Sequence, residues 1–499
     1  MRPDWGGEMR QDHEVSIHFT DCFDVDPDVL NEFGAFNISL INDLPLFIDP
    51  FLLFNSDNAE YRSLHDSMID YLRFLRDKAI IGAATSPLIH AWYTFPELKQ
   101  TWLGFSEVGN AGRGLGRDFA SSLHRNLHTV FSSFGEEKVT RGSHIEKLTL
   151  IGAGVGRDKI SDFTANLIKE YLLGFTQRFA EAHLSRHRTG RFTVSKVRFN
   201  YGTESWQPGK FLLPRWAGDF VVLTPKDMLT RDDTWINRSD MIGEYDHIVA
   251  ALPNEQLRAQ LNNYLARVLP EKATGADRRR AIALTIRTHP EFLEYYIRHK
   301  EETGDQAVST SKERVDWSDV FFVQQASALA SELLHYTAFY SLVGDTLAEA
   351  RERALFLKDV VENKGGWRYF YVNGDPVRRE RDLHILYRLT WFGTPSDVSR
   401  EVDDGRGPAD FKISRGSEDK TIVEFKLASN PQLKRNLQNQ LEIYKMASDA
   451  DKGLKVIFYF TDTEYMRVIK MLDDLGMRGD PNIILIDARS DNKPSASKA

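Results

Sequence analysis

The stretch "TIVEFKL" at residues 421–427 constrains the chain most, because it sets an acid and a base two residues apart in an otherwise apolar run. In an extended strand alternate side chains share a face, so Glu424 and Lys426 point the same way. A charged pair in so apolar a strand is costly unless it is matched or functional. The preceding stretch, "GPADFKIS", also alternates, and it brings a second carboxylate, Asp410. If the two strands form a hairpin, Asp410 approaches the Glu424–Lys426 face from the neighbouring strand. Taken alone, the pattern equally describes a surface hairpin with a cross-strand ion pair.

The surroundings narrow the choice. The spacing predicts a helix over 377–392, strands at 398–402, 409–414 and 421–426, a helix over 433–448, a strand "KVIFYF" at 455–460, a helix over 464–475 and a strand "NIILID" at 482–487. The fold class expected here is α/β, with an α-β-β-β-α-β core and a mixed sheet. On the first helix Leu383, Leu386, Tyr387 and Thr390 make a core-facing stripe, and Glu380 lies in the same register. Glu380 is there either as a first-turn acid favoured by the helix dipole or as a group aimed at the carboxylates. On the helix after the third strand, Gln440 and Tyr444 are four residues apart and share a face.

Two carboxylates with water and a phosphate oxygen suit Mg²⁺ (or Mn²⁺), a hard cation that takes oxygen ligands. A lysine beside them can orient or help deprotonate an attacking water, or stabilise charge on the phosphate. That combination is suited to metal-assisted phosphodiester hydrolysis.

In this order the residues resemble the PD-(D/E)xK, or restriction-endonuclease-like, nuclease superfamily. The likeness covers about 377–487, roughly a quarter of the chain. "GPAD" stands where the family has its P-D, with Ala409 between Pro408 and Asp410, and "EFK" matches (D/E)-x-K. Gln440 and Tyr444 look like the Q-x-x-x-Y motif of the RecB-type branch. The resemblance implies Asp410 and Glu424 as metal ligands, Lys426 as the catalytic lysine, Gln440 and Tyr444 as supporting residues and Glu380 as the helix acid. It also implies a nucleic-acid substrate, with the Q-x-x-x-Y branch favouring DNA over RNA.

Charge makes any nucleic-acid contact local. The chain carries a formal charge of −8, and residues 376–490 hold 19 Lys+Arg against 19 Asp+Glu. Arg406, Lys412, Lys434 and Arg435 flank the expected site and could neutralise phosphates, or could be a solvated face.

A chain of 499 residues exceeds what one core usually supports. The expected division is an α+β region over 1–245, a mainly helical region over 246–375, the nuclease-like domain over 376–490 and a disordered polar tail over 491–499. Earlier in the chain, 35–48 and "FVVLTPKDML" read as strands, 59–78 and 162–181 as helices, and 303–313 as a polar break in the helical region. "LIGAGVGRD" reads as an apolar strand, a glycine turn and a helix, one residue short of a dinucleotide fingerprint. "GNAGRGLGRD", with Arg113 and Arg117, suits a loop near nucleic acid. One cysteine fits a reducing cytoplasm, and neither a signal peptide nor a membrane span is expected. No H-x-x-x-H pair suggests zinc among the fourteen histidines. A single nuclease core behind some 375 other residues resembles the architecture of bacterial antiphage defence or restriction components. A homo-oligomer or a defence partner protein fits that setting. The competing expectation is a catalytically silent binding or assembly protein.

Overall fold

The computed structural model describes residues 16–493 except 42, 84, 105–114, 130–133, 135, 136, 152–155, 232, 330–344, 373, 390, 392–396, 404–407, 416–418, 441–449 and 451. The chain is mixed α/β. Its largest sheet is C-terminal and has five strands: Asp397–Asp403, Pro408–Arg415, Asp419–Leu427, Lys452–Tyr459 and Ile483–Asp487, adjacent in that order. The first three pair antiparallel, and the last two continue the sheet in parallel. Hairpin connections produce the antiparallel half, whereas helix-length crossovers produce the parallel half. The mixed sheet expected from the sequence is present, each strand within a few residues of its expected limits.

Alternation gives this sheet two apolar faces. Phe411, Ile413, Val423, Phe425, Val456 and Phe458 join one large cluster, while Ile457 and Tyr459 join another with Leu433, Val468 and Leu472. The second face is covered by helix Asp462–Asp474. On the first face Tyr387, from helix Glu380–Leu389, lies 4.3 Å from the Phe425 ring. Helix Thr346–Asn363 also binds this sheet: Thr346 Oγ1 bonds Asp419 at 2.7 Å, and Glu362 accepts from the Asp487 N–H at 2.8 Å. Packing around the sheet therefore begins upstream of residue 376.

The front region is built on a long antiparallel hairpin, Thr189–Asn200 with Ser205–Trp216, backed by helix Lys169–His183. A bundle of helices from Arg238 to Ser318 follows. Among the described residues no helix is long and apolar enough to cross a membrane. Several local expectations change. Of 35–48 only Leu46–Ile48 is a strand, paired with Leu229–Arg231; the rest is a buried connector with isolated bridges. Residues 221–224 are likewise buried but unpaired as strand, since they pass through the core rather than along a sheet. The helix expected over 162–181 is two, Arg157–Leu167 and Lys169–His183, because Ile160 and Phe163 serve one core and Leu172 and Phe179 another.

The break expected over 303–313 is confined to Thr303, the turn between helices Phe292–Glu302 and Gly304–Ser318; the second helix then runs through the rest, burying Ala307, Ser311 and Val315 at four-residue intervals. Gly304 opens that helix against Asn55, where an added Cβ would sit within 3 Å of the amide. The segment before the glycine turn is helical, Lys147–Ile151, so the strand–turn–helix context of a dinucleotide site is missing. Arg117 begins helix Arg117–Thr129, and Arg113 lies outside the described residues. Of the expected tail, 491–493 folds back, with Asn492 Nδ2 donating to Asp487 at 2.7 Å; residues 494–499 lie outside the described set.

Two buried polar groups tie the regions together. The Arg231 guanidinium donates to both Asp382 carboxylate oxygens at 2.8 and 2.7 Å and stacks over Trp317 at 3.8 Å. Both side chains are buried, so the front region grips the first C-terminal helix directly. Elsewhere the Glu301 carboxylate accepts from the Arg141 and Gly142 N–H groups and meets His144 Nε2 at 2.9 Å. Next to it Glu146 is fully buried, and neither carboxyl oxygen has a hydrogen-bond partner among the described residues.

Arg231→Ala strands the Asp382 carboxylate in the interior. It should cost about 3–5 kcal/mol in urea unfolding. Burial first, then the nearby Asp49 carboxyl, raise Glu146 well above its ordinary value of 4.5. The folded chain thus keeps a proton that the unfolded chain releases above about pH 4.5, and this group's stabilisation fades as pH rises. Glu146→Gln should be more stable than wild type by about 1–3 kcal/mol at pH 8, with the advantage shrinking toward pH 5. Urea unfolding across that range reads it.

Candidate active site

The site is built where strands Pro408–Arg415 and Asp419–Leu427 meet the N-terminus of helix Glu380–Leu389. The register pairs Val423 with Phe411, which sets Asp410 opposite Glu424. Phe411 and Phe425 are drawn to the apolar face, and this fixes the alternation that turns Asp410, Glu424 and Lys426 together. The Lys426 ammonium lies 2.9 Å from Glu424 Oε2, 3.2 Å from Asp410 Oδ2 and 3.5 Å from Glu380 Oε2. Lys426 has 7% side-chain exposure and Glu424 3%, so solvent screens these contacts little.

Asp410 and Glu380 each have further anchors. Asp410 Oδ2 accepts the Phe425 N–H at 2.6 Å and lies 3.3 Å from His384 Nε2. Glu380 Oε1 accepts from the Leu427 N–H at 3.2 Å and from Asn430 Nδ2 at 2.8 Å. Glu380 is both first-turn acid and site residue: it opens its helix, and its side chain reaches the lysine. The two readings of it are compatible because the helix starts beside the C-terminal end of the middle strand, Asp419–Leu427.

Electrostatics separates the two strand carboxylates. Burial would raise Asp410, but the charges of His384 and Lys426 and the hydrogen bond from Phe425 hold it well below the usual carboxylate range. Glu424 is pushed up, by burial first and then by the Asp410 charge, with Lys426 opposing. Lys426 is pushed well above its ordinary value because Asp410, Glu424 and Glu380 together outweigh burial. The lysine is therefore a fixed ammonium, suited to holding an anionic oxygen rather than to taking a proton.

The donor set fits a hard divalent cation. Glu424 Oε2 is buried with no aligned hydrogen-bond donor, despite the ammonium 2.9 Å away. Three carboxyl groups converge on one point beside the lysine and supply the oxygen ligands such a cation takes. Asp410 and Glu424 are the residues that would hold Mg²⁺ or Mn²⁺ there.

Four of the six expected site residues thus meet: Asp410, Glu424, Lys426 and Glu380. Helical backbone continues to Gln440, but its side chain and all of Tyr444 lie outside the described residues, as does Arg406. Lys412 shares the alternating face of Asp410 on its strand. Lys434 is engaged with Asp474 at 2.8 Å, and Arg435 is exposed at the end of a short helical turn. His384 was not singled out by the sequence, although its place four residues after Glu380 was the available signal.

Two family descriptions match the chain: a domain of unknown function (DUF8370) over residues 24–237 and a domain of unknown function (DUF8371) over residues 346–462. The second contains the whole cluster and starts with the helix that packs on the sheet. No curated protein and no solved structure matches.

Replacing Lys426 by Met leaves three carboxylates facing one another without their shared cation. Its stability should fall by about 3–5 kcal/mol at pH 7, read by urea unfolding. An unchanged midpoint would mean that the ammonium is not held as described.

Proposed function

We infer that the chain is a divalent-metal-dependent nuclease that hydrolyses phosphodiester bonds, with DNA the favoured substrate, working from a restriction-endonuclease-like C-terminal core. The observation that carries this is the convergence of Asp410, Glu424 and Lys426 at one point on adjacent strands, with Lys426 Nζ at 3.2 and 2.9 Å from the two carboxylates. The order of helix and strands around them supports it.

In this reading Asp410 and Glu424 hold the cation, which supplies Lewis acidity and a more acidic water. Lys426 offers its ammonium to a non-bridging phosphate oxygen, where negative charge grows during displacement. Glu380 and His384 act through others: Glu380 positions Lys426, and His384 steadies Asp410. Lys412 and Arg435 are the cations that would meet phosphates beside the cleaved bond. The large front region would select or gate the strand, an arrangement that suits bacterial defence against foreign DNA.

The test is a panel of end-labelled single- and double-stranded DNA and RNA, incubated with Mg²⁺ or Mn²⁺. Wild type should cleave DNA only with a divalent cation. Asp410→Ala, Glu424→Ala and Lys426→Ala should each lose at least about 100-fold in rate, with circular dichroism reporting that they stay folded. Lys426→Ala cleaving like wild type would sink the mechanism, and cleavage of nothing by wild type would favour the silent binding reading.

A further inference from the structure

A second constellation lies far along the chain from the carboxylate cluster, in the helical bundle between the two matched segments. Glu244 stands at the joint between helices Arg238–Gly243 and Tyr245–Ala251, and His247 follows one turn later. His299 comes from helix Phe292–Glu302. The three residues each present one ligand atom, and these atoms lie within 4.8 Å of one another. His247 Nδ1 is 3.4 Å from Glu244 Oε2, and the two imidazole rings are 5.4 Å apart at an interplanar angle of 82°.

The scaffold beneath them is firm. Tyr245 and Ile248 are buried on one helix, Phe292 and Tyr296 on the other, and the Tyr245 and Phe292 rings are 5.1 Å apart. Tyr296 is pinned in turn by hydrogen bonds to Asn237 and Asp240. A cation would therefore meet donors already brought together by packing, with little ordering left to do. The nearest competing charges are occupied: Glu302 binds Arg298 at 2.8 Å, and Asp246 binds Arg278 at 2.6 Å.

The geometry points to a binding site for a first-row transition-metal cation of the Zn²⁺ type, held by His247, His299 and Glu244 with one coordination position left open. Two imidazoles and a carboxylate are a donor set that zinc accepts in a tetrahedral shell, with water in the fourth place. Magnesium does not compete well for it, since that ion prefers oxygen ligands throughout. His247 is exposed and the other two are half-buried, so an ion can enter and water can complete the shell. Beside the triad runs a groove of about 270 Å³ lined by His247, Leu252, Tyr295, Arg298 and His299. Glu302 also lines this groove, paired there with Arg298. The site is independent of the nuclease reading, because no residue is shared and the metals differ in class.

The test uses the full chain after chelator treatment and dialysis, titrated with Zn²⁺ alone in an isothermal calorimeter. One ion per chain should bind with a dissociation constant in the micromolar range or below. His247→Ala and His299→Ala should each weaken binding at least tenfold, and Glu244→Gln several-fold. Asp410→Ala should leave zinc binding unchanged, and millimolar Mg²⁺ should not displace it. These three donors are on the surface, so the variants should fold; Co²⁺ in place of Zn²⁺ adds an independent reading through a tetrahedral visible absorption band, absent in His247→Ala. Equal zinc affinity in wild type and both histidine variants would overturn the proposal, as would no measurable binding by wild type.

Discussion

A single ammonium group organises the C-terminal half of this protein. Lys426 is nearly buried, and such a cation is tolerated only if opposite charge is delivered to it. The delivery comes from three elements: Asp410 on one strand, Glu424 on the next and Glu380 on the helix. The lysine therefore fixes strand register and helix placement together. If the pairing slipped by one residue, Asp410 would turn to the apolar face beside Phe425, Phe411 would be turned out of it, and the ammonium would lose a partner. Fold and candidate chemistry rest on the same contacts.

Those contacts are not balanced. Three carboxylates surround one lysine, and the mismatch appears as opposite displacements of Asp410 and Glu424 from ordinary acidity. Structural ion pairs usually close their hydrogen bonds, whereas Glu424 keeps an oxygen without an aligned donor in a nearly dry setting. Carboxyl oxygens gathered at one point by rigid strands are the arrangement on which the proposed cation site rests. The Glu146 carboxyl, which among the described residues lacks even an ammonium beside it, sits in a different environment: it is fully enclosed beside Asp49 and adjoins the interlocked His144–Glu301 contact.

Much of the C-terminal half was legible in the sequence because period-two alternation carries both burial and pairing information. "TIVEFKL" placed Glu424 and Lys426 on one face without any knowledge of neighbours, and the stripe through Leu383 and Tyr387 oriented Glu380. His384 escaped notice because a lone histidine on an apolar face is ordinarily core, and only the sheet beneath it supplies Asp410. The helical break expected over 303–313 shrinks to Thr303 because polar residues such as Ser311 can line a buried stripe when they find a partner, here the Thr230 hydroxyl at 3.3 Å. Residues 35–48 looked strand-like for the opposite reason: an apolar run reads the same whether it pairs in a sheet or threads through a core. The Glu244–His247–His299 cluster depends on the packing of two helices distant in sequence, and no local spacing encodes that.

The Arg231–Asp382 contact bears on how such a protein can change over time. Asp382 sits between Glu380 and His384 on a single turn of helix, and its counter-charge comes from Arg231, 151 residues earlier in the chain. The front region is consequently a co-owner of the helix that positions the carboxylate cluster, not a detachable sensor. Recombination that exchanged it for an unrelated domain would deliver a bare carboxylate to the interior, unless the newcomer carried a cation to the same depth. The two halves are bound to diverge together.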